Sequence, residues 1–292
     1  MLIERDQFRR LARQGNLVPV ARRLMSDQVT PVLAYRRLVS ADERAAPSFL
    51  FESVEQGARV GRYSLLGAQP TLEVCARGHD VSVTDHRDGT RRLTREENPL
   101  DVPRRLSAGW RVAAPPAERC GQLPPAFRGG WVGYAGYDTV RYLEPRKLPF
   151  SSAPHDDRNL PDLHLGLYRS VVIFDHVDKL AWIVSHVLID EHPSIDAAFD
   201  AGVTALDALT ARLETHSVPL PSGSIELDLG SLPAVPAARG FTPESFMDAV
   251  RRCQAYIAAG DAFQVVLSQR FERQTSADPF EIYRALRVVN PS

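Results

Sequence analysis

Residues Phe241–Arg270 read FTPESFMDAVRRCQAYIAAGDAFQVVLSQR, a helical pattern that gives way to an alternating one. Thr242 is placed as an N-cap, with Pro243 at the first helical position and Glu244 in the first turn. Phe246, Val250, Cys253 and Ile257 follow at spacings of four, three and four, which predicts one buried helical stripe. Gly260 is suited to a left-handed helix end, and Asp261 to the turn after it. Beyond the turn the period becomes two. Phe263, Val265, Leu267 and Phe271 are expected on one strand face, and Gln264, Val266, Ser268 and Arg270 on the other. The second face carries an amide, a hydroxyl and a guanidinium. It reads either as a solvated outer face or as a wall for an anionic small molecule.

Composition narrows the classes around this stretch. The chain has 292 residues, 44% apolar and 24% charged, as for an ordinary globular protein with one large or two smaller domains. A net charge of −1 argues against a global field for nucleic acid or anionic membranes. The opening MLIERDQFRRLARQ has charges throughout and lacks the apolar core of a secretory signal. No apolar run approaches the roughly 18–20 residues that span a bilayer. Cys75, Cys120 and Cys253 are odd in number and far apart, which predicts free thiols in a reducing compartment, the cytoplasm.

Working outward toward the amino terminus, Arg5–Arg13 predicts a short helix burying Phe8 and Leu11. Thr30–Leu38 predicts a strand with Pro31 near its start or on a sheet edge. Phe49 and Phe51 share one strand face, and Tyr63 and Leu65 belong to a second strand. Leu72–Ala76 and Val81–Thr84 can pair as a hairpin around residues 77–80, whereas 85–100 reads as polar and peripheral. Val171–Phe174 and Leu180–Val187 predict a hairpin flanking Asp175–Lys179. Ser194 caps a long helix expected to bury Ile195, Phe199, Leu206, Leu209 and Leu213. Residues 215–240, rich in Pro, Ser and Gly, read as the linker between a region at 1–214 and one at 241–292. Asp278 precedes Glu281 at capping-box spacing, and Ile282, Leu286 and Val289 form the stripe of a last helix.

Other chemistries find little support. The run Phe127–Glu144, FRGGWVGYAGYDTVRYLE, has neither the Rossmann glycine spacing nor a Lys-Ser/Thr ending. Its glycines read as close-packing positions in a twisted sheet beside Trp131, Tyr134 and Tyr137. The eight histidines show no compact metal-ligand spacing. His176 with Asp175 and Asp178 is either a polar turn or a metal site. Asp156-Asp157 beside Arg158 reads as a solvated turn, and no nucleophile motif surrounds a Ser or Cys.

The segment Ala259-Gly-Asp-Ala-Phe-Gln-Val-Val-Leu-Ser-Gln-Arg-Phe271 resembles the start of the chorismate-binding domain in the large subunit (component I) of anthranilate synthase. TPVLAYRRL, FESVEQGARVGRYSLLG, GGWVGYAGYDTVRYLE and DDRNLPDLHLGLY resemble family landmarks in the family's order. The resemblance implies an α+β fold of mostly antiparallel sheets packed face to face with flanking helices. It implies conversion of chorismate and ammonia to anthranilate and pyruvate, with ammonia from a glutamine amidotransferase partner subunit and magnesium as cofactor. Relatives that add water to chorismate have a lysine where this chain has Gln264, and an amide cannot serve as a base at neutral pH. Gln264 is thus implied to line the chorismate cavity of an enzyme whose nucleophile arrives ready to attack.

The family's Leu-Leu-Glu-Ser motif, part of a feedback site for tryptophan, stands here as Leu50-Phe51-Glu52-Ser53. The resemblance implies that Ser53 and Glu52 contact the amino-acid end of L-tryptophan, and a carboxylate and a hydroxyl suit that role. The family's Asn-Pro-Ser-Pro-Tyr-Met segment is represented by Asn290-Pro291-Ser292, and the family's magnesium ligands and substrate-gripping loops are expected beyond residue 292. On this reading the chain is the amino-terminal part of a longer protein and makes no anthranilate by itself. The alternatives are the large subunit of aminodeoxychorismate synthase and a non-catalytic amino-acid-sensing module.

Overall fold

The computed structural model describes residues 3–39, 47–55, 59–113, 123–215 and 238–289, with the backbone alone at 53–55, 59–60 and 238–239. Most of the linker expected at 215–240, residues 40–46, Cys120 and Asn290-Pro291-Ser292 lie outside the described residues. The chain forms two compact units, Met1–Pro219 and Leu220–Ser292. In order, the first contains α1 (Arg5–Ala12), β1 (Leu17–Met25), α2 (Pro31–Leu38), β2 (Phe49–Glu55), β3 (Arg59–Gly67), β4 (Leu72–Arg77), β5 (Asp80–Asp85) and β6 (Thr90–Arg95). It continues with α3 (Asp101–Ser107), β7 (Gly130–Ala135), α4 (Val140–Leu143), β8 (Leu163–Tyr168), β9 (Ser170–Asp175), β10 (Leu180–Leu188) and α5 (Ile195–Glu214). The second contains β11 (Ala238–Arg239), α6 (Pro243–Ala259), β12 (Arg270–Phe271) and α7 (Pro279–Val289).

The fold is α+β. Two five-stranded sheets, in the orders β1-β10-β9-β3-β2 and β6-β5-β4-β8-β7, are antiparallel throughout. In β9 and β10, Val172, Phe174, Ala181 and Ile183 pack into a core with α1, α2 and α5, including Phe8, Leu38, Phe199 and Leu206. The alternate residues Val171, Ile173, Trp182 and Val184 pack on the other face with Phe49, Tyr168 and Val132, where the two sheets meet. Burial on both faces explains why SVVIFD and LAWIVSHVL are near-continuous apolar runs. In β4 only Val74 and Ala76 face a core, completed by Val81, Leu163 and Val102 of α3. Each large side chain so buried contributes about 1.5–3 kcal/mol.

Several local predictions hold. Ser194 accepts a hydrogen bond from the Ala197 amide at 3.1 Å at the start of α5. Thr242 Oγ1 accepts from the Ser245 amide at 3.2 Å while Ser245 Oγ accepts from the Thr242 amide at 2.8 Å, a reciprocal cap on α6. Gly260 ends that helix at φ 82°, a left-handed conformation that glycine adopts without a Cβ clash. The hairpin of β4 and β5 closes with Arg77 opposite Asp80. A Cβ on Gly133 of β7 would overlap the His164 carbonyl of β8, so this glycine permits the close strand approach.

Four expectations are corrected. Thr30–Leu38 is not a strand but the helix α2: Thr30 Oγ1 accepts from the Leu33 amide at 3.2 Å, and Pro31 occupies the first turn. The cap and proline outweigh the branched residues that suggested a strand. Residues 90–95, expected to be peripheral, are a polar strand at the sheet edge, where only one neighbour must be satisfied. The strand expected over 263–271 is reduced to Arg270–Phe271, which among the described residues pairs with Ala238–Arg239 alone. An alternating pattern does not fix extended backbone without a partner strand of matching length. Finally, the stripes of α6 and α7 are not buried in this chain: Ile257 is 43% and Leu286 53% exposed.

Candidate functional site

Glu52 and Ser53 lie on β2, at the edge of its sheet. The β2–β3 register runs regularly from Phe49↔Gly67 to Glu52↔Ser64 and shifts between Glu52 and Val54, so the backbone of Ser53 sits at the irregularity. Such breaks re-aim the chain locally and recur beside binding sites. Glu52 is half-buried. Opposite it, Ser64 is buried and its Oγ lies 2.7 Å from His176 Nε2.

The same sheet end is held by ions. Asp175, at the end of β9, is 3% exposed. One of its oxygens accepts from Arg62 Nε at 3.1 Å and Nη2 at 2.9 Å. The other accepts from the Val177 and Asp178 amides at 3.0 and 3.1 Å. Burial pushes the Asp175 carboxyl up, but the Arg62 hydrogen bonds and the two amides outweigh it and hold the group below the usual carboxylate range. Of the two readings of the Asp175–Asp178 turn, the polar turn is the one this geometry describes. The neighbours of Glu52 were missed in the sequence because Ser64, Arg62 and His176 join it only through register across strands.

Gln264, Ser268 and Arg270 do not share a strand face, because residues 263–269 form no strand. Gln264 and Ser268 are exposed, and Arg270 Nε is 3.0 Å from Glu272 Oε1. Asp156 Oδ1 accepts from the Arg158 and Asn159 amides at 3.0 and 3.1 Å, the solvated turn foreseen for that pair. Among the described residues no group of three or more His, Cys, Asp or Glu side chains could hold a metal ion. The described residues therefore bring together no ligand set that fits magnesium. No helix among the described residues is long and apolar enough to cross a membrane.

A further, partly buried polar constellation on the second sheet carries no mark in the sequence. Glu73 accepts from His86 Nε2 at 2.8 Å and His164 Nε2 at 2.6 Å. The His164 hydrogen bond, aided by His86, lowers the Glu73 pKa against the opposing effect of burial. Its members are spread over β4, the β5–β6 turn and β8, so sequence spacing carries no sign of it.

Comparison with known proteins gives a concordant result. Residues 47–292 match the family model described as chorismate binding enzyme. The chain is 50% identical over 294 residues to "Anthranilate synthase alpha subunit 1, chloroplastic" of Oryza sativa subsp. indica, covering 99% of this chain and 50% of that protein. It is 49% identical over 290 residues to "Anthranilate synthase alpha subunit 2, chloroplastic" of Arabidopsis thaliana, covering 98% of this chain and 46% of that protein. Among solved structures, anthranilate synthase component I from Streptococcus pneumoniae TIGR4 superposes with a TM-score of 0.52 at 27% identity, covering 93% of this chain and 53% of that one. The chain thus spans about half the length of the curated relatives it matches.

Proposed function

Because the chain belongs to the chorismate binding enzyme family, we propose that it acts within the large subunit of an anthranilate synthase. The full-length protein would convert chorismate and ammonia to anthranilate and pyruvate, with ammonia delivered by a glutamine amidotransferase subunit. The single observation that carries this reading is 50% identity over 99% of the chain to an anthranilate synthase alpha subunit. Catalysis draws on residues outside this sequence, magnesium ligands among them. Gln264 enters as a polar wall of the chorismate cavity, a role supported by the family match across it and by the inability of an amide to act as a base. The expected site of action is the cytoplasm; the rice and Arabidopsis relatives bear the word chloroplastic in their names.

Glu52 and Ser53 are the contacts for the ammonium and carboxylate of L-tryptophan as feedback inhibitor. The register shift at the Ser53 backbone supports this assignment, since such irregularities recur beside binding sites. In the full-length enzyme, Ser53→Phe is expected to remove tryptophan inhibition while leaving the rate without tryptophan within about twofold, because an aromatic ring replaces a small hydroxyl where the ligand's polar end must fit. Inhibition of the variant at the same tryptophan concentration as the parent would overturn the assignment.

A further inference from the structure

A second concavity lies at the opposite edge of the first sheet from β2. It opens where β8 crosses into β9 and has a volume of about 380 Å³. That is within the range of small-ligand sites, roughly 300–1,000 Å³. Three aromatic side chains, Trp110, Trp131 and Tyr168, line it, together with Arg128, Arg169 and His186. We propose that this cavity binds a small planar aromatic carboxylate.

The polar groups around it favour an anion. The side chain of Arg169 is 13% exposed and bonds Glu191 through Nη1 and Nη2, the latter at 2.7 Å. Its Nε is buried and has no hydrogen-bond partner. Its guanidinium carbon lies 5.5 Å from the centre of the Trp110 ring, so the cation and the indole form one wall. Arg128, exposed at the rim, makes no hydrogen bond or ion pair among the described residues. The cavity lining itself contains no carboxylate, and Glu191, which neutralises Arg169, lies outside it, so Arg128 is the lining cation without an ion-pair partner among the described residues. Burial holds the His186 imidazole at about 4, so at neutral pH it adds hydrogen-bonding capacity without charge.

Two glycines let the backbone pass close behind this lining. Gly129 has φ 150°, and a Cβ there would stand 2.9 Å from the Tyr168 carbonyl oxygen and 3.0 Å from His186 Nδ1. Gly130, at φ 141°, likewise presents bare backbone at the lining. Trp131 Nε1 donates to Ser107 Oγ at 2.8 Å, which fixes that indole's orientation. An aromatic ring can lie against these faces while its carboxylate reaches Arg128 at the rim, whose planar fork suits that group, whereas the Arg169 fork is held by Glu191 and only its Nε is unpaired.

The test uses tryptophan emission, because Trp110 and Trp131 are two of the chain's three tryptophans. Benzoate, benzamide and acetate are titrated separately into the 292-residue chain and into Arg128→Gln, with circular dichroism confirming that both are folded. The expected result is a saturable change with benzoate, about tenfold weaker binding of benzamide, the neutral isostere, and no saturation by acetate. Arg128→Gln is expected to weaken benzoate about fivefold or more. Absence of saturation with benzoate, equal affinity for benzamide, or an unchanged constant in Arg128→Gln would overturn the proposal.

Discussion

Replacing Asp175 by Asn removes a charge from a site that holds the Glu52 end of the sheet together, and its consequence can be worked from the bonds on each oxygen. The asparagine oxygen can still accept from the Val177 and Asp178 amides, so the turn keeps its cap. The amide NH2 then faces Arg62, and the bonds at 3.1 and 2.9 Å are lost. Losing a charge-assisted hydrogen bond costs roughly 1.5–3 kcal/mol. Arg62 is 49% exposed and also 3.1 Å from Asp178, so it can rehydrate and keep a partial partner. Solvent screening therefore reduces the cost to about 1–2 kcal/mol. For a unit of this size that corresponds to a melting temperature lower by roughly 2–8 °C.

The pH dependence has a definite sign. The folded-state pKa of Asp175 is depressed, so its contribution is present above the unfolded value of about 3.9 and disappears as pH falls through the lower folded value. Melting of parent, Asp175→Asn, Arg62→Gln and the double variant by near-ultraviolet circular dichroism at pH 7 closes a thermodynamic cycle. The double variant is expected to lose little more than Asp175→Asn alone. A loss below about 0.5 kcal/mol, or strictly additive effects, would refute the reasoning.

Glu73→Gln is expected to lower stability by roughly 1–2 kcal/mol at neutral pH, since His86 and His164 lose an ionised acceptor. The Glu73 pKa is lowered on folding, so this deficit should shrink as pH falls below about 4.3 through the folded value; urea midpoints at pH 7 and pH 3 check it. The Ser53→Phe and benzoate experiments probe two further sites in the same unit, and each can fail without affecting the other.

The parts of the fold legible in the sequence are those whose signals are local. Thr242 with Pro243, Ser194 and Gly260 mark helix ends because their side chains or backbone satisfy terminal groups directly. The β9–β10 hairpin is legible because two runs with both faces buried flank a polar turn. By contrast, β1 escaped notice because Pro19 interrupts it; at the sheet edge the missing amide does not break a central ladder. The alternation at 263–271 pointed to a strand, but strand formation depends on residues elsewhere in the chain, and only a two-residue partner is described. Glu52 and Ser53 were singled out by family resemblance. Their surroundings could not be, because Ser64 and Arg62 come from the neighbouring β3 and Asp175 from β9 beyond it, placements decided by inter-strand register.

The most direct test of the functional account is to supply chorismate and ammonium salt to the full-length protein and identify the product by fluorescence and mass. The account predicts anthranilate with an equivalent of pyruvate. Accumulation of aminodeoxychorismate, or no consumption of chorismate by folded full-length protein with magnesium present, would contradict it.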